Sequence, residues 1–209
     1  MLFTHLVRII ILISISIIPS ISLSQPVKIK LTSQDIEDLR RIENYLNEIK
    51  SMQSNFLQVS SNGSVATGVF LMSRPGKIRL EYDPPSPILL IADGTYLRYI
   101  DKRLEQVTHL WQKNTPVNIL VKENIQLSGD VMVTNISRGA NILEATVTKT
   151  KNPENGTIKI VFSDNPLSLK KWVITDPQGI KTTITLNNTK RAVKIDPILF
   201  EFNGLENIK

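Results

Sequence analysis

The residue types that most often carry catalysis or hold metal ions are almost missing from this sequence. Its 209 residues include no cysteine and two histidines, of which His5 lies in the apolar N-terminal stretch and His109 near the end of a predicted strand. The sequence therefore offers no thiol nucleophile and no Cys/His metal site. No Gly-x-Ser-x-Gly elbow accompanies His109, so we interpret it as a surface or structural residue. These observations predict a protein that is not an enzyme and has no metal or cofactor.

Acidic side chains are scattered and fall mostly in predicted turns, where aspartate is common because it hydrogen-bonds the local backbone. The candidates are Glu81, Asp83, Asp93, Asp101, Glu105, Asp130, Asp176 and Asp196. No spacing selects two of them as the acid and nucleophile of a glycosidase, and no glycine-rich phosphate-binding loop is present. A secreted hydrolase therefore stays open only as an alternative function, which assays with ester and glycoside substrates would test.

The formal net charge of +6 is modest and evenly spread. No basic run with interleaved aromatic residues is present, so the sequence predicts no nucleic-acid partner. A small positive excess favours solubility and approach to anionic membrane surfaces.

The first 24 residues are typical of a cleavable secretory signal peptide. Arg8 precedes an apolar run over residues 9–18, Pro19 breaks that run, and Ser22 and Ser24 stand where signal peptidase reads small residues. The run is short for a membrane span, although an uncleaved N-terminal anchor is the alternative. Cleavage after Ser24 would remove 24 of the 209 residues and leave 185, residues 25–209, which we expect to form a single domain. No cysteine follows the cleavage site, so the sequence excludes an acylated N-terminal cysteine anchor.

Two stretches have helical signals. Thr32 and Ser33 provide an N-cap, and the three- and four-residue spacing of apolar side chains predicts a helix over Asp35–Lys50. Its apolar stripe comprises Ile36, Leu39, Ile42, Leu46, Ile49 and Met52, with Tyr45 beside it. Thr115-Pro116 opens a second, shorter helix predicted over Val117–Asn124. Each helix either packs on a core or covers a cavity.

The rest of the chain has a period of two, broken by turns rich in Gly, Pro, Asn and Asp. Ten or eleven strands at near-regular spacing, without the intervening helices of βαβ units, predict an antiparallel sheet or barrel. In the second half we expect strands over Val131–Ser137, Ile142–Lys149, Thr157–Ser163, Leu169–Thr175 and Ile180–Leu186. Asp196 begins a predicted turn that feeds a short last strand to Phe202.

The most distinctive feature is apolar surface. If alternation holds, one face of four successive strands is lined by Phe70, Met72, Ile78, Leu80, Tyr82, Leu89, Ile91, Leu97 and Tyr99, with Ile119 and Leu120 on the second helix. On periodicity alone, an ordinary core beneath a helix is the favoured interpretation. A cavity for acyl chains is the alternative, since burial contributes ~0.8 kcal/mol per CH₂.

Taken in order, several short motifs make the chain similar to the LolA family of periplasmic outer-membrane lipoprotein carriers. The similarity extends from Ile36 to Phe202. The motifs are Phe56-x-Gln58; Gly68 with Phe70, Met72 and Arg74-Pro75-Gly76; Ile78-Arg-Leu80-Glu-Tyr82; Leu90-Ile-Ala-Asp93-Gly94-x-x-Leu97; Leu104-Glu-Gln106-Val-Thr108; Thr115-Pro116; and Asp196-x-x-x-Phe200-x-Phe202. The chain departs from the family at Leu71, Leu80 and Arg98, where tryptophan is common.

The resemblance implies a mainly β fold, an incomplete and half-open antiparallel barrel of about 10–11 strands covered by lid helices. It implies a soluble, monomeric carrier of the Gram-negative periplasm that accepts acylated lipoproteins from an inner-membrane ABC transporter (LolCDE-like). The carrier then shields their acyl chains and delivers them to an outer-membrane acceptor (LolB-like), where one exists. Arg74 corresponds to the family arginine that closes the lid by hydrogen bonds to helix carbonyls, a task suited to its five donors.

Two further alternatives stay open. A periplasmic sensor of related fold would bind lipoprotein and regulate a partner, and a structural envelope protein would bind no acylated ligand. Release of a labelled lipoprotein from spheroplasts separates both from a carrier.

Overall fold

The computed structural model describes residues 27–204, which contain two α-helices and eleven strands. The helices are α1 (Ser33–Glu48) and α2 (Asn118–Val121). The strands are β1 (Ser51–Ser60), β2 (Val65–Ser73), β3 (Lys77–Tyr82), β4 (Ile88–Asp93), β5 (Tyr96–Asp101), β6 (Gln106–Trp111), β7 (Val131–Gly139), β8 (Ile142–Lys149), β9 (Thr157–Ser163), β10 (Ser168–Thr175) and β11 (Lys181–Arg191). The predicted signal peptide, residues 1–24, lies outside the described residues and stays a prediction.

All eleven strands form one antiparallel sheet in the order β6-β5-β4-β3-β2-β1-β11-β10-β9-β8-β7. Two meanders meet where β1 pairs with β11, and the edge strands are β6 and β7. These edges are consecutive in the chain but do not pair with each other, so residues 112–130, which carry α2, run from one edge to the other. The prediction of an incomplete antiparallel barrel with covering helices is confirmed.

The main core lies between α1 and the inner face of the sheet, which we define as the face that α1 covers. From α1, Leu39, Ile42 and Leu46 are buried against strands of both meanders. Aromatic side chains join the two meanders within this core: Phe70 of β2 packs against Trp172 of β10 with ring centroids 5.3 Å apart. One sheet therefore encloses a single apolar interior because it curves around α1.

Helix α1 starts as predicted, but its stripe is shorter. Thr32 and Asp35 form a capping box, in which each side chain accepts a hydrogen bond from the other residue's backbone N–H. Ile36 is 58% exposed, contrary to the prediction. The helix ends at Glu48 because Ile49 has extended backbone angles, and Met52 is buried in β1 instead.

Helix α2 is also shorter than predicted. It covers Asn118–Val121, after which Lys122 adopts an extended conformation. The following residues bond to α1 rather than continuing the helix: the Asn47 side chain accepts from the Ile125 N–H at 2.8 Å and donates to the Ile125 carbonyl at 3.0 Å. The Leu127 N–H donates to the Glu43 carboxylate at 2.6 Å.

The C-terminal segment covers the outer face of β4 and does not form the predicted strand to Phe202. Residues Pro197–Phe200 form a 3₁₀ turn, and the Asp196 side chain accepts from the Ile198 N–H at its start. Phe202 then packs on a second, small core made by Leu89, Ile91 and Ile100.

This second core corrects one prediction. In the β3–β4 register, Leu80 lies opposite Leu90 and Ile78 opposite Ala92, so Leu90 and Ala92 share the inner face. Leu89 and Ile91 therefore lie on the outer face and do not join the predicted apolar lining. β4 is apolar on both faces because both are covered, and alternation could not reveal which face was which.

Candidate functional site

The structure brings most of the predicted lining together on the inner face. The residues in or against the main core are Phe70, Met72, Ile78, Leu80, Tyr82, Leu97, Ile119 and Leu120. Tyr99 belongs to the same face by its pairing with Leu90, but it is 43% exposed. Burial raises the pKa of Tyr82 to about 12, although its hydroxyl donates to the Gln58 side chain at 2.6 Å. Because α1 lies directly on this lining, no ligand can reach it unless α1 moves.

The turn between β2 and β3 joins the ends of both helices. The Arg74 N–H donates to the Lys50 carbonyl and the Gly76 N–H to the Val121 carbonyl, each at 2.8 Å. These residues follow α1 and end α2, respectively. The turn is therefore a hinge-like attachment made of neutral main-chain bonds.

The Gln112 side chain holds this turn in place through hydrogen bonds to the backbone. Its side chain is fully buried, donates to the Gly76 carbonyl at 2.8 Å and accepts from the Gly94 N–H at 2.9 Å. Gly76 has a φ of +76°, and a Cβ built there would lie 2.6 Å from the Gly94 Cα. Only glycine fits at this contact without displacement of the backbone.

The Arg74 side chain does not make the contacts that the resemblance implied. Its Nε and Nη1 are buried and have no hydrogen-bond partner among residues 27–204. Burial lowers the pKa of Arg74 to about 10, which still leaves the guanidinium charged near neutral pH. A partly buried cation whose Nε and Nη1 have no partner is unfavourable, so the side chain itself does not stabilise this closed arrangement.

Charged side chains hold the other end of α1. We call Asp35, Asp38, Arg41, Arg138 and Asp164 the α1 latch. Arg138 of β7 donates from Nε to Asp38 and from Nη2 to Asp35, both at 2.7 Å. Arg41 donates to Asp38 at 2.8 Å and also to Asp164 in the β9–β10 turn. The α1 latch therefore ties the helix to two separate parts of the second meander.

The pKa values of the two helix carboxylates reflect this setting. Hydrogen bonds from the backbone and side chain of Thr32, then from Arg138, lower the pKa of Asp35 from 3.8 to about 2. Burial alone would raise the pKa of Asp38, but hydrogen bonds from Arg138, Gln34 and Arg41 outweigh it and lower the pKa. Both carboxylates are therefore charged at neutral pH, as the α1 latch requires.

Sequence reasoning missed the α1 latch. Asp38 lies outside the predicted apolar stripe of the helix, yet it is only 2% exposed. The Asp38–Arg41 spacing is a local signal of an ion pair, but it is common on exposed helices as well. Arg138 is 100 residues from Asp38, and that contact could be recognised only from the assembled sheet.

A protein-family model matches most of this chain. The chain belongs to the LolA family, described as outer membrane lipoprotein carrier protein LolA, whose model matches residues 47–203. An outer-membrane lipoprotein carrier protein of Nitrosomonas europaea is 27% identical over 195 residues, covering 88% of this chain and 90% of its own. Another, of Legionella pneumophila, is 29% identical over 171 residues, 78% of this chain and 83% of its own. An uncharacterized protein of Rickettsia prowazekii is 27% identical over 168 residues, 80% and 78%.

Solved structures are similar at lower identity. A LolA superfamily protein of Nitrosomonas europaea has a TM-score of 0.46 and 10% identity, covering 78% of this chain and 97% of its own. An uncharacterized conserved protein from Thermus thermophilus has a TM-score of 0.48 and 11% identity, covering 81% and 94%. Individual contacts are therefore taken from the present structure.

Two negative observations apply to residues 27–204. None of their helices is long and apolar enough to cross a membrane. No group of three or more His, Cys, Asp or Glu side chains in this range is placed to hold a metal ion.

Proposed function

We propose that this protein is an exported lipoprotein carrier of the periplasm. It accepts acylated lipoproteins released from the inner membrane, shields their acyl chains against the inner face of the sheet, and delivers them to the outer membrane. The observation that carries this proposal is the arrangement of α1, whose apolar side covers a continuous apolar face while its rim is held by displaceable polar contacts. Membership of the LolA family supports the same reading.

In this mechanism α1 and α2 are lids. The closed form is the one described above, with Leu39, Ile42 and Leu46 on the inner face. Opening breaks the α1 latch and the bonds of Asn47 and Glu43 to residues 125–127, and frees the lining for acyl chains. A chain of about 16 carbons avoids on the order of 13 kcal/mol of exposure to water by entering the cavity. Polar rim contacts are weak enough individually to break and re-form, so cargo can be released.

Arg74 stays in the proposed mechanism, but its side chain acts when α1 shifts and does not hold the closed form. Its backbone N–H joins the turn to Lys50, whereas Nε and Nη1 are buried donors that no residue in 27–204 uses. These donors are available to helix carbonyls or to cargo once α1 shifts. We expect Arg74→Leu to fold and to take up lipoprotein but to transfer it poorly, and normal transfer would remove Arg74 from the mechanism.

The proposed partners are a LolCDE-like transporter at the inner membrane and, where present, a LolB-like acceptor at the outer membrane. A cleavable signal peptide over residues 1–24 would deliver the protein to the periplasm, where it would act as a monomer.

A release assay tests the function. Purified residues 25–209 are added in excess to spheroplasts that synthesise a radiolabelled outer-membrane lipoprotein, with spheroplasts lacking added protein as the control. A soluble one-to-one complex in the supernatant supports the carrier. Absence of release by folded protein would overturn it, and binding of purified lipoprotein without release would favour a sensor.

A further inference from the structure

A second concave site borders the apolar lining at Ile119, between the segment that carries α2 and the edge of the second meander. Its cavity measures about 300 Å³, the low end of pockets that hold small ligands. Its lining includes Lys113, Lys122, Lys149, Lys151 and Asp130, together with three asparagines and two apolar residues. We call this the lysine pocket, because four lysines and one carboxylate line it.

Lys149 is the most informative member. In the β7–β8 register it lies opposite Val131, two residues beyond the buried Val147, so it belongs to the inner face at the end of β8. It is partly buried, and its ammonium has no ion pair or hydrogen bond within the part of the chain that the structure describes. Burial, and then the charges of Lys122 and Lys113, lower the pKa of Lys149.

The remaining charges of the pocket are poorly compensated. Its one carboxylate, Asp130, is 83% exposed and lies 3.4 Å from Lys122. Lys113 instead stacks over the ring of Trp111, at 5.4 Å from the centroid. An inward-facing lysine surrounded by like charges is unfavourable unless an anion joins it.

The lining also indicates what kind of anion fits. Four lysines and three asparagines line one small space, and each ammonium carries three donors. A phosphate group offers more acceptor oxygens than a carboxylate, and lysine binds phosphate well as a point charge. Ile119 and Val131 form an apolar floor for a small attached group.

We propose that the lysine pocket binds a phosphate group, carried by a phospholipid headgroup or free in solution. The bound anion bridges α2 to β8, and so links a lid to the sheet edge. Trp111 and Leu110 beside Lys113 are 51% and 47% exposed, an arrangement that suits a membrane interface. The pocket shares Ile119 with the apolar lining, but its four lysines lie outside that lining, so phosphate binding by them does not depend on the carrier function.

The experiment has two arms. In the first, ¹⁵N-labelled residues 25–209 are titrated with inorganic phosphate at constant ionic strength, with sodium chloride as the reference salt. In the second, flotation with phosphatidylglycerol vesicles is compared with flotation with phosphatidylcholine vesicles. The variants are Lys149→Met and Lys113→Met, and the matched control is Lys170→Met, an exposed lysine of β10 outside the pocket.

We expect saturable amide shifts centred on Asn118 and Lys149, and about fivefold weaker binding for each pocket lysine removed. Lys170→Met should bind like the unmodified protein. Binding of free phosphate alone would support the site and identify free phosphate as its ligand. Stronger binding to phosphatidylglycerol vesicles would support the site and identify a phospholipid headgroup as its ligand. The proposal is overturned if neither arm shows saturable binding, or if Lys149→Met and Lys170→Met behave alike in both. The amide shifts of the unmodified protein decide the question even if a variant is unstable.

Discussion

The two ends of α1 are attached in different ways. At its N-terminal half the α1 latch uses five charged side chains, with Arg138 reaching across from β7. Beyond its C-terminal end the β2–β3 turn uses neutral main-chain bonds, and the guanidinium of Arg74 contributes no hydrogen bond through Nε or Nη1. One end can therefore be released by changing charge, whereas the other stays fixed by backbone geometry.

This difference suggests how a lid can open without losing its place. The turn at Arg74 is built into the sheet, since Ser73 and Lys77 on either side of it are paired strand residues. The α1 latch pairs two buried carboxylates of α1 with Arg138, whose side chain is 40% exposed and can exchange its contacts for water. We therefore expect α1 to swing from the latch end, with the turn as its fixed point.

The largest effect should come from the turn itself. Gly76→Ala would add a Cβ 2.6 Å from the Gly94 Cα at a φ of +76°, and we expect a loss of about 2–3 kcal/mol in the free energy of unfolding. Gly179→Ala is the matched control, because its φ is +81° but no atom lies within 4 Å of the added Cβ. Urea denaturation should show a clearly smaller loss for the control; equal losses would mean that the close contact is unimportant.

Gln112→Ala should rank next. It would leave the Gly76 carbonyl and the Gly94 N–H without their partner in a fully buried place, at a cost of about 1–3 kcal/mol. Gln112→Glu keeps the size and the acceptor but removes the donor, so it should lose stability through the Gly76 carbonyl. Thermal unfolding followed by circular dichroism measures both variants. Unchanged melting of Gln112→Ala would contradict the fixed-point role of the turn.

Breaking the α1 latch should have a smaller effect on global stability. Arg138→Met removes donors to Asp35 and Asp38, and because Arg138 is 40% exposed we expect a loss of about 1 kcal/mol. The matched control is Glu37→Gln, which breaks the exposed Glu37–Arg40 pair on the same helix. If both variants lose the same stability in urea, the α1 latch is no more than an ordinary surface pair.

Lowering the pH should weaken the contact between Asp35 and Arg138. The pKa of Asp35 lies at about 2 in the folded protein against its ordinary 3.8, so its contribution is complete above pH 3.8 and is lost as the pH falls toward 2. The difference in urea midpoint between the unmodified protein and Arg138→Met should therefore shrink over that range. A difference that stays constant down to pH 2 would show that these carboxylates do not depend on Arg138.

Local sequence signals predicted the framework well. β8 and β9 have the predicted bounds, Ile142–Lys149 and Thr157–Ser163, because turn residues mark both ends of each strand. The cap at Thr32 follows from its spacing to Asp35. Contacts between distant segments were not predictable. Arg138 gave no local signal of its partners.

No local sequence signal indicated that the outer face of β4 is covered as well. Leu89 and Ile91 were assigned to the wrong side because the C-terminal segment that covers them is distant in the chain. The resemblance implied a lid-closing role for Arg74, which stays a prediction, and the hydrogen bonding of its side chain depends on the exact position of α1. Contacts of this kind are determined by how distant segments pack together, which short sequence motifs do not indicate.

Hydrogen exchange of the α1 amides in Arg138→Met and Arg74→Met tests the central claim most directly. The account predicts about fivefold faster exchange in Arg138→Met, corresponding to about 1 kcal/mol. In Arg74→Met it predicts unchanged or slower exchange, because an unpaired buried cation is removed. Faster exchange in Arg74→Met with none in Arg138→Met would contradict it and return the closing role to the Arg74 side chain.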